Sequence, residues 1–212
     1  MRRWLILALL AAPAPAQLVD GVAARAGTSV ITLSAVRRHL RMQAFFTRTD
    51  ADLSPASRRA AAERLIDQAL VRRELEFTRF AAPPDSDIDS QIERLLKERN
   101  EDAAALASEL ARYGFTLDDL RQELRYQLAL LRFVDFRFSP GIQVSADEIE
   151  AAFRDELLAP AQKSGAPAPT LDEARPQIER LLIYRKTTAA LEQWLLQARQ
   201  QVKIRLFEGA FE

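Results

Sequence analysis

The sequence predicts a mainly α-helical fold, a multi-helix body with a small β element joining an N-terminal hairpin to a C-terminal strand. Three observations predict it. Apolar residues recur at helical spacing through most of residues 33–200. A Ser or Thr followed three residues later by an acid, the capping-box pattern, occurs at Ser86, Thr116, Ser145 and Thr170. The β-prone runs of the mature chain, residues 19–32 and 202–207, lie at its two ends. A strand needs a partner for its backbone groups, so those ends are expected to meet.

Each element has its own signal. Residues 19–26 and 29–32 flank Gly27-Thr28 and read as a hairpin. Thr32 can cap a helix running to about Phe46, with Val36, Leu40 and Ala44 on one face. Ser54-Pro55 is a strong start, because Ser accepts an orphan N–H and Pro suits the first helical position. That helix carries Leu65, Ala69 and Leu70 and is expected to reach about Phe80, before Pro83-Pro84. The four capping boxes open helices over residues 88–99, 117–137, 146–158 and 171–200, with Pro176 as a kink site in the last. A short helix over residues 101–113 is closed by Gly114. Residues 159–169, rich in Ala, Pro, Gly and Ser, read as a linker.

Composition narrows the chemistry. The chain has 212 residues, 30 basic against 30 acidic, 48% apolar, one His and no Cys. The length suits one or at most two domains. Balanced charge argues against nucleic acid as a partner. Without Cys there is no disulfide framework, thiolate metal site or cysteine nucleophile. His39 has no second imidazole to work with and sits among Arg37, Arg38 and Arg41, which reads as a solvated surface position. The six glycines form neither a GxGxxG nor a GxxxxGK[ST] pattern, so no nucleotide is expected. The acids at residues 85–89 lack the spacing and glycine of a calcium loop and are better explained as helix-start residues. No metal, cofactor or catalytic set is nominated.

The N-terminus reads as an address. Arg2-Arg3, a short apolar stretch over residues 4–12 and Ala14-Pro15-Ala16 make the layout of a secretory signal peptide, with cleavage expected after Ala16. The expected location is the periplasm, where ATP is not available and any work on a partner must run on binding energy.

Val22-Ala23-Ala24, the following Val30-Ile31-Thr32-Leu33-Ser34-Ala35-Val36, and Glu63-Arg64-Leu65-Ile66-Asp67-Gln68-Ala69-Leu70 resemble the opening of the SurA family of periplasmic chaperones. Tyr113-Gly114-Phe115-Thr116-Leu117-Asp118-Asp119-Leu120-Arg121 is similar to a helix start of that family. Tyr184-Arg185-Lys186, Trp194-Leu195 and Gln201-Val202-Lys203-Ile204 resemble its C-terminal helix and strand. The resemblance divides the chain into a signal segment (1–16), a chaperone core (17–158), a linker (159–169) and a completing helix and strand (170–212). Family members usually insert parvulin-type prolyl isomerase domains at the linker, and such a domain needs on the order of 100 residues. The linker here has no room for one, so no enzymatic activity is expected.

A nucleotide-free chaperone holds clients by offering apolar surface, worth roughly 25 cal/mol per Å² buried. Two stretches are candidates. Tyr126, Leu130, Phe133 and Phe136 form a second apolar stripe on a helix that already carries a leucine stripe. Such a helix is either buried on both sides or lines a groove, and burial is the commoner outcome. Met42, Phe45 and Phe46 precede a polar loop and form either a client-binding rim or ordinary core. The pairs Arg58-Arg59 and Arg72-Arg73 read as solvated faces with local ion pairs. The function expected is an ATP-independent holdase for unfolded or partly folded envelope proteins, such as outer-membrane protein precursors. The alternative is a non-catalytic interaction or scaffold subunit whose groove is filled by a partner or by a second copy in a homodimer.

Overall fold

The computed structural model describes residues 20–164 and 167–212, so the signal segment expected over residues 1–16 lies outside the described residues. The chain is mainly helical with one small antiparallel sheet, ordered β2-β1-β3. The strands are β1 (Val22–Ala26), β2 (Ser29–Thr32) and β3 (Ile204–Leu206). Gly27, with φ 59°, is the first of two turn residues between β1 and β2, a position that suits glycine. A Cβ there would also lie 3.2 Å from Val202 Cγ1. β3 pairs with β1 through Ala24–Leu206 and Ala26–Ile204, so the two ends of the fold do meet.

Among the described residues, eight α-helices carry most of the rest. They are α1 (Leu33–Thr47), α2 (Pro55–Phe77), α3 (Asp85–Arg99), α4 (Ala103–Arg112), α5 (Leu117–Phe138), α6 (Ala146–Ala152), α7 (Ala159–Ser164) and α8 (Leu171–Gln200). Thr32 caps α1 by accepting from Ala35 N, and Ser54 caps α2 by accepting from Ser57 N. The boxes at Thr116–Asp119, Ser145–Glu148 and Thr170–Glu173 form with both reciprocal bonds. Gly114, φ 80°, follows α4 in the left-handed conformation that ends a helix.

Three expectations are corrected. Ser86 and Asp89 make no capping box: Pro84 occupies the cap position of α3, and Asp85, Asp87 and Asp89 instead face α5, paired with Arg125, Arg132 and Arg121. The chain leaves α2 at Phe77 rather than Phe80, because Arg79 turns left-handed (φ 50°) and Arg79 N and Phe80 N donate to Glu76 O and Leu75 O. The expected linker over 159–169 begins as helix: α6 runs through a π-helical turn (Phe153–Leu158) into α7. The wider π turn directly precedes Pro160, whose ring would crowd the carbonyl four residues back in a regular α-helix. Pro176 lies inside α8 without ending it.

Among the described residues, three apolar clusters hold these elements. The first joins the sheet to α1 and α2 through Ala23, Ile31, Val36, Leu40, Ile66 and Leu70, and also takes in Phe211. The second joins the end of α1 to α3, α4 and α5 through Met42, Phe45, Ile88, Leu106, Leu110 and Leu120. The third ties α6 to the start of α8 through Ile149, Ala152, Ala174 and Ile178. Opposite ends of α1 therefore serve different clusters. The Arg pairs are not confined to local bridges. Arg58 donates to the Phe211 carbonyl at 2.8 Å, Arg59 pairs with Glu208, and Arg72 lies 4.2 Å from the centroid of the Tyr126 ring.

Candidate functional site

The ends of α2 and α5 converge on the second half of α8, and aromatic side chains cover the junction. Phe133 is 2% exposed and serves as its hub, with ring centroids 5.8 Å from Phe80, 6.2 Å from Phe138 and 6.0 Å from Trp194. The turn that ends α2 places Phe80 there, because the bond from Phe80 N to Leu75 O folds the chain back over the last helical turn. Phe80 also contacts Phe136, centroid to centroid 5.8 Å, but Phe136 itself is 72% exposed. Phe77, on the last turn of α2, is 84% exposed. Contiguous exposed apolar area marks an interaction surface; here Phe136 adjoins the hub through Phe80, and Phe77 stands on the wall of a neighbouring cleft.

Beside them opens a cleft of about 360 Å³ between α2, α5 and α8. Its exposed lining is mostly polar, from Arg73, Glu74, Arg137, Gln197 and Gln201, with Phe77, Trp194 and Val202 supplying apolar surface. Arg137 lies 3.7 Å from Glu74 and stacks within 6.0 Å of the Trp194 centroid, so its guanidinium covers aromatic surface while staying hydrated. An open, mostly polar cleft that also carries Phe77 and Trp194 can take a side chain from another molecule without sealing it away from water.

The sequence candidates fall in different places. Phe133 and Phe136 sit together at the aromatic junction, one as core and one as surface. Tyr126 is buried on the same helix, and burial pushes its phenol up to about 12. Leu130 is half-buried. Met42 and Phe45 lie inside the second cluster rather than on a rim, with the Arg99 guanidinium over the Phe45 ring at 4.4 Å. Phe46 is half-buried and lines a separate open depression of about 600 Å³ with Leu40, Thr49 and Asp50. Of the candidates, Phe136 alone presents most of its side chain to solvent. Comparison with protein-family models and with curated proteins returns no match for the chain.

Sequence reading missed Phe77, Phe80 and Trp194. Phe77 and Phe80 are spaced three apart just before Pro83-Pro84, a usable signal, but the expected helix end at Phe80 placed both on a regular helix. Trp194 belongs to a helix whose apolar residues are spread around its circumference, so periodicity singles out no face. Among the described residues, no group of three or more His, Asp or Glu is placed to hold a metal ion, and no helix is long and apolar enough to cross a membrane. His39 is half-buried, not solvated as expected, because α1 places it against α2 and α5 beside Leu65 and Gln68.

Proposed function

We propose that the protein is an ATP-independent periplasmic holdase that binds unfolded or partly folded envelope proteins, outer-membrane precursors among them. The observations that support this reading best are the exposure of Phe77 (84%), which lines the cleft between α2, α5 and α8, and of Phe136 (72%), which packs against Phe80 at the aromatic junction. Full burial of a Phe side chain is worth about 1.5–3 kcal/mol, so two such contacts hold a client loosely and reversibly. The Arg- and Glu-rich outer faces keep a loaded complex in solution. The resemblance to the SurA core and the signal-like N-terminus support the same reading. Its test is light scattering by a diluted, unfolded outer-membrane protein as the purified chain is titrated in without nucleotide. Scattering should fall near equimolar ratios, and Phe77→Ser with Phe136→Ser should abolish the effect while leaving the helical circular dichroism intact. Undiminished scattering in the presence of excess wild-type chain sinks the proposal.

A further inference from the structure

His39 lies where α1 packs against α2 and α5, and its Nε2 is sealed from solvent with no hydrogen-bond partner. Next to it is a small cleft of about 220 Å³. The charged groups around it come from all three elements: Arg38 from α1, Arg64 and Arg72 from α2, Asp119 and Glu123 from α5. Arg38 and Asp119 neutralise one another at 2.6 Å. Of the rest, Glu123 acts on the imidazole more strongly than Arg64 and with the opposite sign, so it is burial rather than the surrounding charge that keeps the ring neutral.

We propose that His39 is an acid-sensitive latch: while neutral it lets α1 close onto α2 and α5, and its protonation prises that seam open. With the first proton on Nδ1, the added N–H falls on Nε2, which is sealed from solvent and has no acceptor. An imidazolium could be satisfied only by α1 moving away. The seam matters because α1 joins two cores: Leu40 belongs to the first cluster and Met42, three residues from His39, to the second. Opening it uncovers Met42 and Leu65, which already border the cleft.

The sign follows from burial, which is the main cause holding the imidazole below its ordinary value of 6.5; Arg64 adds to the lowering and Glu123 opposes it. A group lowered on folding stabilises the fold fully above its unfolded value and loses that contribution as pH falls through the folded value. The latch is therefore closed at neutral pH and yields as pH falls below the ordinary histidine value. Its effect on client capture rests on the holdase reading, but the latch itself does not.

One imidazole in the chain makes the test direct. The ring resonances of His39 are followed by NMR from neutral pH into mild acid, with binding of a dye specific for apolar surface measured in parallel. The proposal expects His39 to titrate below 6.5, with dye binding rising over the same interval. Arg64→Gln should shift both curves to higher pH and Glu123→Gln to lower pH, and His39→Gln should remove the rise. Titration at the ordinary histidine value, a rise in dye binding that does not follow the imidazole, or shifts of the same sign in the two charge variants would each overturn it. The charge variants keep the test decisive even where His39→Gln does not fold. A latch that behaves as expected in a protein that captures no clients would refute the holdase alone.

Discussion

At the scale of single residues, two side chains three apart on α5 have opposite duties. Phe133 is packed among Phe80, Phe138 and Trp194, so Phe133→Ala should cost about 3–5 kcal/mol in urea unfolding. Phe136→Ser removes mostly solvated surface, and its change should stay within about 0.5 kcal/mol. The sequence marked both residues as one stripe, because spacing along a helix does not say which neighbour arrives over which ring. That information comes from the α2 turn and from Trp194, both distant in the chain. Arg99 shows the same limit. Its side chain, 8% exposed, donates to Glu109 at 2.6 Å and to Phe45 O at 3.0 Å while covering the Phe45 ring. Nothing in a run of helical charges distinguishes it from its solvated neighbours. Arg99→Ala should destabilise by about 2 kcal/mol in the same measurement, since charge-assisted bonds are lost and Glu109 keeps only the looser Arg48, 3.7 Å away.

At the scale of elements, local rules read best where the bonds are local. Three of the four anticipated capping boxes form, since each needs only a side chain and a backbone N–H three residues apart. The fourth fails because the helix already starts at Asp85 behind Pro84, and Asp89 is drawn to Arg121 of α5. Thr116→Ala should cost about 1 kcal/mol in thermal or urea unfolding. Asp119, which accepts from Thr116 N and from Arg38, is held below its ordinary carboxyl value. Its contribution is therefore complete above that ordinary value and lost as pH falls through the lowered one. Stability measured against pH should lose that segment of its slope in Asp119→Asn, and a slope unchanged from wild type would show that the bond carries no weight. The Asp–Arg ladder between α3 and α5 is largely exposed, so it contributes little and is screened by salt.

At the scale of the whole molecule, the fold is closed by its last residues. β3 completes the sheet, Phe207 N donates to Ala23 O at 3.0 Å, and Phe211 enters the first cluster under the Arg58 guanidinium. Deleting residues 207–212 should lower stability by about 3 kcal/mol, the order expected for emptying a buried Phe site, read as an earlier midpoint in thermal unfolding. The meeting of the ends was legible because strands need partners and only one hairpin was on offer. The aromatic junction was not, because it is assembled from three segments, around Phe80, Phe133 and Trp194, each more than fifty positions from the next. The central claim is that Phe77 and Phe136 present a surface for unfolded chains. Its most direct measurement is fluorescence anisotropy of a labelled, unfolded outer-membrane protein titrated with the purified chain in the absence of nucleotide. Saturable binding, weakened on the order of tenfold or more by Phe77→Ser with Phe136→Ser, is the predicted result. No binding, or binding untouched by the double substitution, would contradict it.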